Sequence, residues 1–176
     1  SHDNPDLTYR LRTNEDDPEL NAYDDLARLI RVINAKPLRR EDVEEIFDVR
    51  GFLRWAGLNV LLGSWDNYFA TPANYYLYNG GQRGAAKDFL DKPYFTFIPW
   101  DYDNCLGLDY FGTKWQYTDI LDWPGNTRHY WRDRATSRIP LVQNLLRNRD
   151  YRQYYLDYLE FLLDTQFNPD SFSQQI

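Results

Sequence analysis

The chain has 176 residues, and its 20 basic and 27 acidic residues give a formal net charge of −7. This acidity disfavours binding to nucleic-acid backbones, which requires a basic surface. Hydrophobic residues make up 43% of the sequence, which is enough for a packed core. No apolar run approaches the about 20 residues that a transmembrane helix needs. The single cysteine excludes an internal disulfide framework and a cysteine-based zinc site.

The beginning of the chain predicts an irregular segment followed by three helices. Residues 1–22 are polar and acidic, and they form the irregular segment. Apolar residues then recur at three- and four-residue spacing, which is the pattern of amphipathic helices. Asp24 or Asp25 is expected to cap the first helix and Asp48 the third, whereas Gly63 lies where a C-terminal cap belongs. The predicted helices cover about residues 23–36, 40–47 and 48–62.

The hydrophobic pattern changes after residue 73. Asn74-Tyr-Tyr-Leu-Tyr78 and Tyr94-Phe-Thr-Phe-Ile98 are short and aromatic, so each predicts a strand. Asn79-Gly80-Gly81 is a turn signal, and residues 82–92 form a polar loop, so the two strands predict a hairpin. Further helices are predicted over residues 140–146 and 151–163 and from Pro169. The sequence therefore predicts an α+β fold that is mainly helical and has one small antiparallel hairpin.

Carboxylate and amide side chains cluster around the predicted hairpin. Asp101 and Asp103 follow its second strand, where an extended backbone would point both side chains the same way. Asp66 and Asn74 flank the start of the first strand, so all four side chains would converge if the hairpin folds back. Oxygen ligands of this kind suit Mg²⁺, Mn²⁺ or Ca²⁺. The alternative interpretation is that these residues cap turns and bond backbone amides.

The residues around these carboxylates resemble those of a known family. Asn74-Tyr-Tyr-Leu-Tyr78 and Phe97-Ile-Pro-Trp-Asp-Tyr-Asp103, followed by Leu106-Gly107, resemble the N-Y-Y-L-Y and F-I-P-W-D-x-D segments of the CotH kinase family. Trp65-Asp66-Asn67-Tyr68 is similar to the W-D-x-Y segment of that family. The resemblance covers roughly residues 23–176, and its most specific part is the hairpin.

The resemblance implies an ATP-dependent atypical protein kinase with a kinase-like C-lobe and the hairpin at its metal and nucleotide site. The implied substrates are Ser or Thr residues of extracellular, spore-coat or cell-surface proteins. Asp66 would accept the proton of the substrate hydroxyl, and Asp101 would bind Mg²⁺ or Mn²⁺ together with the ATP phosphates. Asp103 and Asn74 would be additional metal ligands, with Ca²⁺ as a third candidate ion. The implied location is extracellular, at the cell surface or in the spore coat.

The predicted domain organisation is that of one kinase lobe. A kinase also requires an N-lobe with a nucleotide-binding lysine, its paired glutamate and a phosphate-covering loop. Residues 1–22 are too few to form that lobe, so they are interpreted as the end of a missing or truncated N-lobe. Residues 23–176 are interpreted as a C-lobe that is truncated at its C-terminus. This segment alone is therefore expected to bind ATP weakly and to catalyse poorly.

Two non-kinase functions are also compatible with the sequence. The same fold would serve as a non-catalytic surface or adhesion module. Alternatively, it would be a carbohydrate-associated module, because aromatic residues make up 18% of the chain and aromatic rings stack on sugars. The tryptophans considered for such a platform are Trp65, Trp100, Trp115, Trp123 and Trp131.

Overall fold

The computed structural model describes residues 11–13, 23–69, 73–82, 88–110, 112, 117, 119–121 and 139–173 of the chain. These residues form seven helices and one two-stranded sheet. The helices are α1 (Asp24–Ile33), α2 (Arg40–Ile46), α3 (Val49–Leu62), α4 (Asp88–Asp91), α5 (Pro140–Leu145), α6 (Arg149–Thr165) and α7 (Pro169–Ser173), and the strands are β1 (Tyr75–Asn79) and β2 (Phe95–Pro99). None of the helices in these ranges has the length and apolar character needed to span a bilayer. The predicted mainly helical α+β fold is confirmed.

Helix α3 is the central element of the core, and it begins and ends as predicted. The Asp48 side chain caps it by accepting a hydrogen bond from the Gly51 amide. Gly63 ends it with a φ of 61°, a conformation that glycine adopts without a steric cost. Gly57 permits close approach of α6, because a Cβ there would lie 3.3 Å from Tyr158 Cδ1. The buried residues of α3 are Val49, Phe52, Leu53, Ala56, Gly57, Asn59 and Val60.

The predicted cap of helix α1 is wrong. The N-cap is Tyr23, with a φ of 53° and no side-chain hydrogen bond to the helix, and Asp24 and Asp25 lie inside the first turn. There the Asp25 carboxylate accepts hydrogen bonds from the Leu26 amide at 2.7 Å and from Asn79 Nδ2 at 2.8 Å. Asp25 therefore connects α1 to the end of β1, a tertiary contact that local sequence rules do not anticipate.

The hairpin pairs β1 and β2 in antiparallel register, with Tyr76 opposite Ile98. Its connection contains helix α4, where the sequence predicted an irregular polar loop. Asn79 closes this connection, because its Nδ2 donates to the Phe89 carbonyl at 2.8 Å and its Oδ1 accepts from the Tyr94 amide at 3.0 Å. Side-chain hydrogen bonds of Asn79 therefore tie the end of β1 to α4 and to the residue before β2.

An aromatic cluster joins α3 to the hairpin. Phe97 of β2 lies near Trp55 and Tyr75, with ring-centroid distances of 4.3 and 5.1 Å. Phe52 meets Phe97 edge to face at 5.2 Å and Tyr68 at 6.1 Å. Such arrangements contribute about 0.5–1.5 kcal/mol per pair beyond the burial of apolar area. Much of the high aromatic content is therefore core, and this core fixes the hairpin against α3.

Arginine–tyrosine contacts line the interface between α3 and α6. The Arg50 guanidinium lies 5.6 Å from the ring centroid of Tyr154, and that of Arg54 lies 6.0 Å from the ring centroid of Tyr158. Arg54 also donates a hydrogen bond to the Tyr154 hydroxyl at 2.7 Å. Cation–π contacts at exposed sites contribute about 0.5–1 kcal/mol each. The apolar residues beneath them therefore account for most of the stability of this interface.

Candidate functional site

Asp66 lies in the loop that follows α3, and this loop is docked against the segment after β2. Trp65 is buried, and its indole Nε1 donates to the Leu108 carbonyl at 2.9 Å. The Leu106 amide donates to the Leu62 carbonyl at the end of α3 at 2.7 Å. These bonds bring together the two stretches of sequence that carry the predicted aspartates.

The side-chain amides of two asparagines hold the Asp66 carboxylate. Asn74 Nδ2 donates to Asp66 Oδ2 at 3.3 Å and to the Asp66 carbonyl at 2.7 Å. Asn104 Nδ2 donates to the same Oδ2 at 3.2 Å. Asn74 precedes β1 and Asn104 follows β2, so both chain segments at the open end of the hairpin are bonded to the Asp66 loop. The structure thus brings Asp66 and Asn74 together and adds Asn104, which the sequence analysis missed.

Asp101 and Asp103 are exposed, and they lie between the end of β2 and Asn104. The Trp100 amide donates to the Asn74 carbonyl at 3.2 Å, immediately before the segment begins. Asp101 has a φ of 58°, so the chain turns there. The extended-backbone argument for two carboxylates on one side is therefore wrong at Asp101, because a left-handed residue interrupts the alternation of a strand. The assignment of both residues as metal ligands stays a prediction.

Two residues at the open end of the hairpin have left-handed backbone conformations. The φ angles are 56° at Asn74 and 58° at Asp101, on either side of the Tyr75–Pro99 pair. Asn and Asp adopt this region more readily than other residues with a Cβ, yet it costs of order 1 kcal/mol or more. Such conformations cluster at functional sites. Tyr23 and Leu106 also have positive φ angles, so this conformation agrees with the motifs at Asn74 and Asp101 but is not confined to them.

The donor atoms determine which ion this region would fit. Across the described residues, no group of three or more His, Cys, Asp or Glu side chains could hold a metal ion. In phosphoryl-transfer sites, however, one or two carboxylates bind Mg²⁺, and substrate phosphates and water complete its coordination. Asp101 and Asp103 are exposed and offer hard oxygen donors of that kind. These residues therefore fit an ion that arrives with a nucleotide better than an ion held by protein alone.

Tyr102 anchors the segment that carries both aspartates. Its hydroxyl accepts a hydrogen bond from Trp55 Nε1 of α3. Burial raises the pKa of Tyr102, although the bond from Trp55 lowers it in part. The hydroxyl is therefore neutral at physiological pH, and its bond with Trp55 attaches the segment between Asp101 and Asp103 to α3.

A buried polar network supports the loop that carries Asp66. Asn67 is 0% exposed, and its Nδ2 donates to Asn59 Oδ1 at 2.8 Å and to the carbonyl and hydroxyl oxygens of Ser64, each at 3.0 Å. The Phe69 amide donates to Asn67 Oδ1 at 3.0 Å. No role for Asn59 or Asn67 was predicted from the sequence. The available signal was a lone asparagine in the apolar second half of α3, since buried polar groups need partners.

Replacing Asn67 by leucine is expected to lower the free energy of unfolding by about 2–4 kcal/mol. Leucine is similar in size, but it leaves Asn59 Oδ1 and the Phe69 amide without these partners in a buried site, at about 1–3 kcal/mol each. Urea unfolding followed by circular dichroism measures the change. Gln153→Leu is the control, because Gln153 is an exposed carboxamide on α6 that donates to the exposed Asp157, and its loss should cost less than about 1 kcal/mol. Equal losses in the two variants would contradict a structural role for the network.

The hairpin presents an aromatic face to solvent. Tyr76 and Trp100 are 43% and 47% exposed, and their rings stack with 6.0 Å between centroids and 17° between planes. Tyr78 and Ile98 are exposed on the same face of the sheet. Trp65 is buried, so it cannot belong to an exposed stacking platform. Three further candidates lie outside the described residues, namely Trp115, Trp123 and Trp131.

Comparison with known proteins identifies the family of the chain. A family model described as CotH kinase protein matches residues 2–176. The inner spore coat protein H of Bacillus subtilis strain 168 is 28% identical over 109 residues, which are 62% of this chain and 26% of that protein. The matched part thus spans about a quarter of the length of this curated relative. No solved structure matches the chain. Because the family model covers residues 2–176, the chain belongs to the CotH kinase protein family.

Proposed function

We propose that the chain forms the catalytic half of an atypical protein kinase and is arranged like a kinase C-lobe. The whole protein would transfer the γ-phosphate of ATP to Ser or Thr residues of spore-coat or other extracellular surface proteins. The observation that carries this proposal is the contact of the Asp66 carboxylate with Asn74 and Asn104, at the open end of a hairpin that continues into Asp101. Family membership supports the kinase class, and the name of the Bacillus relative supports the location and the class of substrate.

The roles of the residues follow from what phosphoryl transfer requires. The reaction depends mainly on positioning and on neutralisation of phosphate charge, with little covalent chemistry for the protein. Asp66 would orient the substrate hydroxyl and accept its proton, and the amides of Asn74 and Asn104 fix the position of its carboxylate. This fixed orientation favours in-line attack, because a misplaced carboxylate cannot align the hydroxyl with the phosphate.

Asp101 would hold Mg²⁺ or Mn²⁺, with Asp103 and the Asn74 side-chain oxygen as further ligands and Ca²⁺ as an alternative ion. When bound, the ion would neutralise charge on the ATP phosphates. The exposure of Asp101 and Asp103 leaves both carboxylates accessible to a nucleotide. The Asn74 nitrogen donates to Asp66, so Asn74 would join the metal side and the base side of the site.

Binding of ATP in the presence of Mn²⁺ tests this proposal. We expect calorimetric titration of the full-length gene product to show Mn²⁺-dependent ATP binding, and Asp101→Asn to weaken it by at least about tenfold, the loss of one close charge–charge contact. Asp157→Asn is the matched control, because Asp157 is an exposed carboxylate on α6 and should leave binding unchanged. Absence of nucleotide binding by the full-length protein with metal present would refute the kinase proposal.

A second candidate function, a non-catalytic module that binds surface carbohydrate, is favoured by the stacked and exposed pair of Tyr76 and Trp100. Binding on a glycan array would then be lost in Tyr76→Ala/Trp100→Ala and retained in Asp66→Asn/Asp101→Asn. Failure of the wild-type protein to bind any glycan would exclude this candidate.

A further inference from the structure

A surface depression of about 540 Å³ lies between the connection after α1 and the region where α5 is followed by α6. Residues 34–38 line one side, and residues of α5 and of the start of α6 line the other. None of the four predicted site residues lines it. Asn144 Nδ2 donates to the Ile33 carbonyl at 2.9 Å, so α5 is bonded to the end of α1 beside the depression. The depression is therefore a feature separate from the Asp66 region.

The charge of this depression is opposite to that of the chain. Lys36, Arg147 and Arg149 line it, and no carboxylate among the described residues does. Within the described residues, none of these three side chains forms an ion pair, although the chain carries a net charge of −7. Nearby Arg40, by contrast, pairs with both Glu44 and Asp150. In the part of the chain that the structure describes, positive charge is thus concentrated here without an ion-pair partner, which attracts an anionic ligand.

The other residues that line the depression favour a peptide ligand over an isolated anion. Pro37, Leu38 and Pro140 supply apolar surface beside the cations, and Gln143 adds a carboxamide. The volume lies within the roughly 300–1,000 Å³ of ligand sites, so one phosphate ion would fill only a small part of it. A long nucleic-acid backbone is disfavoured, because the rest of the acidic chain would repel it. A short acidic segment with an apolar side chain would satisfy both kinds of surface.

We propose that this depression binds an acidic peptide segment of a partner protein. Carboxylates of the segment would contact Lys36, Arg147 and Arg149, and an apolar side chain would pack against Pro37 and Leu38. Such exposed charges increase the rate of association and set specificity more than they raise affinity. Binding should also weaken as salt rises, because the pairs are screened over a Debye length of about 10 Å at 0.1 M. The proposal does not depend on the kinase function.

The proposal is tested by measuring the binding of two fluorescently labelled peptides. One alternates Glu and Leu, and the other has Gln in place of each Glu. We expect saturable binding of the Glu peptide to the full-length protein, weakening with salt, and binding of the Gln peptide at least about tenfold weaker. Lys36→Glu/Arg149→Glu should weaken binding of the Glu peptide by a similar factor. Neither side chain has a hydrogen-bond or ion-pair partner among the described residues, so the variant should fold normally.

The matched control is Arg12→Glu/Lys92→Glu, which makes the same change in net charge away from the lining of the depression. It should bind the Glu peptide like the wild type. The proposal is overturned if the Glu peptide does not bind, if the Gln peptide binds equally well, or if the control loses as much affinity as the test variant. Inorganic phosphate that competes as effectively as the peptide would also overturn it, because the site would then recognise a single anion.

Discussion

Replacing Phe52 by alanine is expected to lower the free energy of unfolding by about 3–5 kcal/mol. Phe52 is 1% exposed in α3, and its ring lies 5.2 Å from that of Phe97 and 5.6 Å from that of Phe47. Removing the ring leaves a cavity, and the neighbouring rings are fixed by their own contacts and cannot fill it. This loss is large compared with the free energy of unfolding of a typical domain, which is about 5–15 kcal/mol.

Phe161→Ala is the matched control for this prediction. Phe161 lies in α6 and is 54% exposed, so its removal creates no cavity and should cost less than about 1 kcal/mol. Urea unfolding of both variants measures the difference. If Phe52→Ala does not fold, Phe52→Leu retains much of the ring volume and should cost about 1–2 kcal/mol. Equal losses for Phe52→Leu and Phe161→Ala would contradict the central place of Phe52 in the core.

Helix α3 shows how far local sequence rules reach. Its apolar spacing, the carboxylate of Asp48 and the glycine at position 63 act within one or two turns, so its start and its end were predictable. The two strands were predictable to within one residue at each end, because short runs rich in aromatic residues are typical of strands. The start of α1 was not predictable, because the Tyr23 hydroxyl accepts a hydrogen bond from the Leu11 amide and the Asp25 carboxylate accepts one from Asn79, both outside the helix.

The geometry of the candidate site depends on contacts between residues that lie far apart in the sequence. Motifs indicated Asp66, Asn74 and Asp101, but no sequence rule states that Asn104 donates to a carboxylate 38 positions earlier in the chain. The left-handed turn at Asp101 was also unpredictable, since the preceding strand favours continued extension. Both features come from docking the segment after β2 onto the end of α3. The sequence therefore indicated the candidate side chains, and the tertiary fold determined how they are held.

The Asp66→Asn variant is expected to transfer phosphate about 100- to 10,000-fold more slowly, the usual contribution of a general base. The substitution keeps the shape of the side chain, and the new carboxamide oxygen can still accept from Asn74 and Asn104. It removes the negative charge and with it the capacity to take a proton, but it keeps an acceptor for both asparagines, so the Asp66 loop should stay in place and stability should change by less than about 1 kcal/mol. Transfer of labelled phosphate from ATP to a mixture of Ser- and Thr-containing peptides measures the rate in the full-length protein.

A comparison of Asp66→Asn with Asp101→Asn distinguishes the role of a general base from that of a metal ligand. If Asp66 accepts the proton, its variant should bind ATP and Mn²⁺ like the wild type while the rate of transfer falls. If Asp101 holds the ion, its variant should lose nucleotide binding as well. Asn104→Ala should slow transfer by less than Asp66→Asn does, because the Asn74 amide still orients the carboxylate. Equal loss of nucleotide binding in Asp66→Asn and Asp101→Asn would contradict the division of roles, because both carboxylates would then act on the metal side.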